Sequence, residues 1–132
     1  MSVIASAKVQ ALTAPWQGEV SSGTHQFLTD KPEAAGGHDT GPAPYHFLTA
    51  SLASCTMITL RMYAKHKEIE LGDFSVEVDF HTNREQQEHI ERRVIFAQSV
   101  SQDLKEKLLN VCSKTPVTKT LLRSLDIQTV IL

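Results

Sequence analysis

The chain has 132 residues, of which 41% are hydrophobic and 21% charged, with a formal net charge of −2. That length makes a single domain over 1–132 the simplest organisation, with enough chain for a real core and no need of a metal or disulfide staple. The near-neutral balance excludes the basic footprint of a nucleic-acid binder or of a protein drawn to anionic membranes. Two cysteines, Cys55 and Cys112, suit free thiols in a cytoplasmic protein better than a secreted disulfide framework. Residues 1–10 lack a basic region followed by an apolar run, so no signal peptide is expected.

Residues 3–12 alternate weakly and predict an edge strand. Pro15 to Gly18 reads as a turn, and 19–29 as a hairpin around Ser22-Gly23. Residues 30–44 hold prolines and glycines without an apolar period and read as a loop, with Gly36-Gly37 a flexible turn in it. Pro42 and Pro44 suit the entry to a helix, where a missing N–H costs little. A helix then follows over roughly 44–67, uninterrupted by Gly or Pro. Its apolar positions lie almost all round, so burial on most faces is expected. Its polar residues, His46 to Arg61, argue against a membrane span, because charge at membrane depth costs several kcal/mol.

Phe74, Val76, Val78 and Phe80 share one face of a strictly alternating strand over 74–80. A polar connection over 81–89 leads to a second strand over 90–97. Ser101 caps a helix that runs to about Lys114, with Asp103 in its first turn. Thr115-Pro116 restarts a helix to about Ser124, with Thr115 as N-cap and Pro116 in the first helical position. Residues 126–132 read as a final strand. The fold class is therefore α+β, with one helix too apolar for a small sheet to cover. A homodimer that shelters two such helices solves that problem.

Three blocks carry a resemblance: Gly36 to Tyr45, Leu52-Ala-Ser-Cys-Thr56 and Thr59 to Ala64. With Ile90-Glu-Arg92, Leu108-Leu109 and Thr115 to Leu121, they resemble the OsmC/Ohr family of bacterial thiol peroxidases, nearest its OsmC-like branch of unassigned function. The resemblance runs over roughly 20–132. It implies an intertwined homodimer with two central helices wrapped by antiparallel β-sheets, and active sites at the dimer interface. In the active peroxidases a helix cysteine attacks an organic hydroperoxide, a second cysteine before a Pro-Val pair closes a disulfide, and an external dithiol reductant reopens it. A glutamate ten residues before the first cysteine and an N-terminal arginine tune the thiolate.

Carried over, the peroxidatic position is Cys55. The second cysteine's place before Pro116-Val117 is taken by Thr115, with Cys112 three residues earlier as a displaced candidate for the resolving thiol. The glutamate position is Tyr45, followed by His46, and no arginine precedes Arg61. Tyr45, His46 and Arg92 are the candidate binding residues, with Arg92 or its neighbour Arg93 as the source of a cation. His46 lies nine residues before Cys55 and, at about 100° per residue, on the opposite face of the helix. None of the six histidines has a strong metal-ligand spacing, so no metal and no cofactor is expected.

Cys55 is either a nucleophile or a buried packing thiol, since reactivity needs a neighbouring cation, a histidine or a helix N-terminus. Cys112 is either a resolving thiol or a core residue of its helix. Three functions follow. The first is a thiol-dependent organic hydroperoxide reductase using Cys55, or a degenerate relative of one. The second is a non-catalytic small-molecule-binding dimer, with Tyr45, Phe47, Met57 and Met62 lining an apolar pocket. The third is an oxidation sensor that reacts stoichiometrically.

Overall fold

Short β-prone runs before residue 30, with one strict and one looser alternation after residue 73, set the two sheets of the molecule. The computed structural model describes all residues, Met1 to Leu132. They form two compact units, Met1–Leu48 and Thr49–Leu132.

The first unit is an antiparallel meander of β1 (Ala7–Ala11), β2 (Gly18–Ser22) and β3 (His25–Thr29). Ser22 pairs with His25, so Gly23 and Thr24 alone make the turn. Gly23 has φ +58°, the left-handed value that a type II′ hairpin turn asks of its first central residue. After β3 the chain runs through a 3-10 turn at Glu33–Ala35 to the first turn of α1 (Pro44–His66).

One side chain orders the loop that the sequence leaves without a period. Asp30 is buried, and its carboxylate accepts from the backbone N–H groups of Lys31, His38 and Thr40 and from the Thr40 hydroxyl. The backbone folds back so closely that a Cβ on Gly37 would overlap the Lys31 carbonyl. The Gly36-Gly37 pair is thus a packed corner of this loop, not a flexible turn.

The second unit holds the rest of α1, the hairpin β4 (Phe74–His81) and β5 (His89–Phe96), α2 (Gln102–Cys112) and α3 (Pro116–Leu121). Cross-strand pairing places Phe74 opposite Phe96, Val76 opposite Val94, Val78 opposite Arg92 and Phe80 opposite Ile90. These pairs form the inward face of the hairpin, and the Phe74 and Phe96 rings lie 5.5 Å apart. The core joins Leu60 and Ala64 of α1 to Leu71, Leu108 and Cys112, with Phe74, Val94 and Phe96 packed against them. Ser101 caps α2 by accepting from the Leu104 N–H, and Thr115 caps α3 by accepting from the Thr118 N–H.

At the end of α1, Glu68 takes φ +55°. Its N–H donates to the Lys65 carbonyl, while the Ile69 N–H donates to that of Ala64. This is a Schellman closure with glutamate where glycine usually stands.

One further expectation is corrected. Residues 124–132 have no regular structure, because a strand exists only where its N–H and C=O groups meet a partner and none in this chain pairs with them. α1 is buried along one stripe only, Leu52, Thr56, Leu60 and Ala64, the i, i+4 line that a single hairpin and α2 can cover. Ile58 and Met62 on the same helix remain exposed. No helix is long and apolar enough to cross a membrane.

Burial pushes the Asp30 carboxyl up, but the hydrogen bonds led by that of Thr40 outweigh it and hold the group below its ordinary value. A lowered folded value stabilises the protein above the unfolded pKa of about 3.9, and that stabilisation is lost as pH falls through the folded value. Asp30→Asn will therefore lower the thermal midpoint at pH 7 and flatten its decline between pH 4 and pH 2, as thermal denaturation across that range will show.

Candidate functional site

An arginine on the apolar face of a hairpin must find acceptors or stay unsatisfied. Alternation along β5 turns Ile90, Arg92, Val94 and Phe96 inward together. Arg92 Nη1 donates to Thr56 Oγ1 at 3.0 Å and to Thr118 Oγ1 at 2.9 Å, and Nη2 donates to the Cys112 carbonyl at 2.9 Å. One guanidinium thus ties β5 to α1, to the end of α2 and to the start of α3. These acceptors are two hydroxyls and a carbonyl, none of them charged.

The cluster continues through neighbouring hydroxyls. Thr118 Oγ1 also donates to the Cys112 carbonyl at 3.2 Å and lies 2.6 Å from Thr115 Oγ1. Thr56 in turn donates to the Leu52 carbonyl at 2.7 Å. Thr56 and Thr115 are fully buried. Thr115, standing where the resemblance places a second cysteine, is a helix cap locked into this network.

Cys112 ends α2 beside the same guanidinium. The residue is buried, with 6% of its surface exposed. Burial pushes its pKa above the ordinary thiol value, and the Arg92 charge offsets this only in part. Arg92 and Cys112 share a cleft of about 560 Å³ whose apolar wall includes Leu60, Val94, Phe96 and Leu108. This cleft lies at different residues from the pocket expected at Tyr45, Phe47, Met57 and Met62.

Cys55 stands apart from that cluster. It precedes Thr56 on α1 and is half-buried on the flank between the core stripe and the exposed face. Its sulfur lies 4.0 Å from Thr59 Oγ1, which donates to the Cys55 carbonyl at 2.7 Å. Both cysteines are free thiols.

Tyr45 and His46 belong to the first turn of α1, in the first unit. Tyr45 is exposed. His46 Nδ1 accepts from the Ala43 N–H at 3.2 Å, which closes the entry to the helix. In the same unit Lys31 sits over the Trp16 ring at 5.3 Å. Arg93 faces the opposite side of the hairpin from Arg92, paired with Asp79 at 2.8 Å and Glu77 at 3.2 Å. The structure therefore brings Arg92 and Cys112 together.

Sequence reasoning overlooks Thr56 and Thr118, which hold Arg92. The signal available was an arginine inside the run Ile90-x-Arg92-x-Val94-x-Phe96, because a charge in phase with a buried face demands partners.

The family model described as OsmC-like protein matches residues 37–130. Solved structures share the fold. An OsmC like protein from Mycoplasma pneumoniae superposes with a TM-score of 0.71 at 18% identity, over 92% of this chain and 89% of that one. An organic hydroperoxide resistance protein OsmC from Legionella pneumophila gives 0.66 at 19% identity, over 90% and 89%. The organic hydroperoxide resistance protein OhrB of Bacillus subtilis gives 0.60 at 21% identity, over 89% and 90%. No curated protein matches the sequence.

Arg92→Leu removes the donor to three acceptors, two of them on or beside fully buried threonines, and should cost about 2–4 kcal/mol of stability. Arg92→Lys keeps the charge but loses the planar fork and should recover only part of that loss. Chemical denaturation of the two variants against the parent measures both.

Proposed function

Because the chain belongs to the OsmC-like protein family, we propose that it is a thiol-dependent organic hydroperoxide reductase that works as a homodimer, the whole chain serving as one functional domain. The observation that carries this reading is the position of Cys55: the residue that resembles the family's peroxidatic cysteine is a free, half-buried thiol at the edge of the exposed face of α1.

In the proposed cycle the Cys55 thiolate attacks the terminal oxygen of a hydroperoxide. The O–O bond breaks, the alkoxide leaves with a proton as an alcohol, and the cysteine becomes a sulfenic acid. One thiol of an external dithiol then attacks that sulfur and expels water, giving a mixed disulfide. The second thiol of the dithiol displaces Cys55, which returns to its reduced form. The external dithiol resolves the intermediate because Cys112 is buried, its thiol held protonated, and its carbonyl fastened to Arg92 and Thr118. Cys112 serves the core.

The homodimer rests on two exposed apolar features of the second unit. Ile58 and Met62 lie on the uncovered face of α1. Residues 124–132, with Ile127, Val130 and Ile131 exposed, have no strand partner in their own chain. An isologous interface covers α1 of each chain with α1 of the other and offers each tail a sheet. It also places groups of the partner beside Cys55, where the chain's own neighbour is Thr59.

A second reading is favoured by the cleft at Arg92. Its apolar walls and a guanidinium bonded only to neutral groups suit a ligand with an apolar body and a carboxylate head. In this reading the protein binds without turnover.

Cys55→Ser will abolish consumption of an organic hydroperoxide in the presence of a dithiol, and Cys112→Ser will retain most of it in steady-state assays. Absence of turnover in the parent protein supports the binding reading instead. Ile58→Arg places a charge in the proposed interface and will convert the dimer to monomer in light scattering after size exclusion.

A further inference from the structure

The register of the β4–β5 hairpin creates a second grouping that the sequence spacing conceals. His81 ends β4 and His89 begins β5, and the two are a cross-strand pair. Their rings stack at 4.5 Å between centroids with planes 6° apart. Glu91 lies two residues along β5 on the same outward face. Its carboxylate reaches both rings: Oε2 is 3.6 Å from His81 Nε2, and Oε1 is 3.6 Å from His89 Nε2. One ligand atom from each of the three residues falls within 4.8 Å of the others.

The geometry points to a divalent transition-metal site at His81, His89 and Glu91, of the class that takes zinc. Two imidazoles and one carboxylate form a borderline donor set that suits Zn²⁺, Cu²⁺ or Ni²⁺ and not the oxygen-seeking Mg²⁺ or Ca²⁺. Bonds of about 2.0–2.1 Å in a tetrahedron place ligand atoms roughly 3.4 Å apart. The two nitrogen–oxygen separations, one to each carboxylate oxygen, are 3.6 Å, and one ligand atom from each residue must draw closer to the others around an ion. The stacked rings must turn out of their near-parallel planes for both nitrogens to face one ion, and all three side chains are exposed.

Two features prepare the site. The connection between the strands is tied to itself, since Asn83 Oδ1 accepts from the Gln87 N–H at 3.0 Å and Asn83 Nδ2 donates to Gln87 Oε1 at 2.8 Å. That closure fixes the register that pairs the histidines. The surrounding charge also favours a cation. Glu77, Asp79 and Glu91 share the outer face with one guanidinium, that of Arg93. Arg93 lies nearer Asp79 and Glu77, at 2.8 and 3.2 Å, than Glu91, at 3.8 Å, so its guanidinium is engaged chiefly by the two carboxylates of β4.

This site lies on the face of the hairpin opposite Arg92 and is independent of the thiol chemistry proposed above. The test uses the full chain, stripped with a chelator, titrated with Zn²⁺ by calorimetry and with Co²⁺ by visible absorption. The expected result is one ion per chain with the d–d bands of a nitrogen- and oxygen-ligated Co²⁺ ion. His81→Ala and Glu91→Gln should each weaken binding by more than about tenfold, since the loss of a ligand exceeds the loss of a supporting group. His25→Ala on β3 should leave it unchanged. Failure to saturate at one ion per chain, full binding by His81→Ala/His89→Ala, or a thiolate-to-cobalt charge-transfer band would each overturn the assignment.

Discussion

Much of the second unit depends on satisfying one guanidinium. Arg92 occupies an inward position on an otherwise apolar face of β5, opposite Val78. A charge there is tolerable only with well-placed acceptors, and the chain supplies them from three helical segments: Thr56, the Cys112 carbonyl and Thr118. The fork geometry of arginine lets one residue fix three elements at once. The ends of α2 and α3 are thereby set relative to the hairpin, and the Cys112 carbonyl is held in place. The same requirement explains why Thr56 occupies a fully buried site in a small core.

This anchoring separates the two cysteines by their surroundings. Cys112 is enclosed by the anchored end of α2, and burial raises its pKa. Cys55 sits one residue before Thr56, on the flank turned away from the anchor, next to the part of α1 that this chain leaves uncovered. In the proposed dimer a thiol so placed would meet both a substrate and groups of the second chain. The proposal of a dimeric peroxidase therefore rests on which face of α1 is used by which partner. The Leu52-Thr56-Leu60-Ala64 stripe serves the chain's own core, and the remainder is the face that the proposed dimer would use.

Much of this was legible in the sequence. The β4–β5 alternation fixed the inward set Phe74, Val76, Val78 and Phe80, and Thr115-Pro116 marked a helix start, because both signals are local. The resemblance around Cys55 named the family. Other features were not local. The apolar run 126–132 has strand propensity, but pairing depends on a partner that propensity cannot supply. The apolar circumference of α1 signalled that one small sheet would not cover it, but not which stripe the chain's own core would take. Asp30 gave no sign in the sequence that it would order residues 31–40. Arg92 was named as a source of cation, whereas its acceptors Thr56 and Thr118 lie 36 and 26 residues away and converge only through tertiary packing. His81 and His89 look unrelated until the hairpin register pairs them.

The central claim is that Cys55, and not Cys112, is the thiol that meets peroxide. It is tested most directly by treating the reduced protein with one equivalent of an organic hydroperoxide, trapping sulfenic acid with dimedone and mapping the adduct by peptide mass spectrometry. The account predicts a dimedone adduct at Cys55 and unmodified Cys112. An adduct at Cys112, or an intrachain Cys55–Cys112 disulfide in place of the adduct, would contradict it.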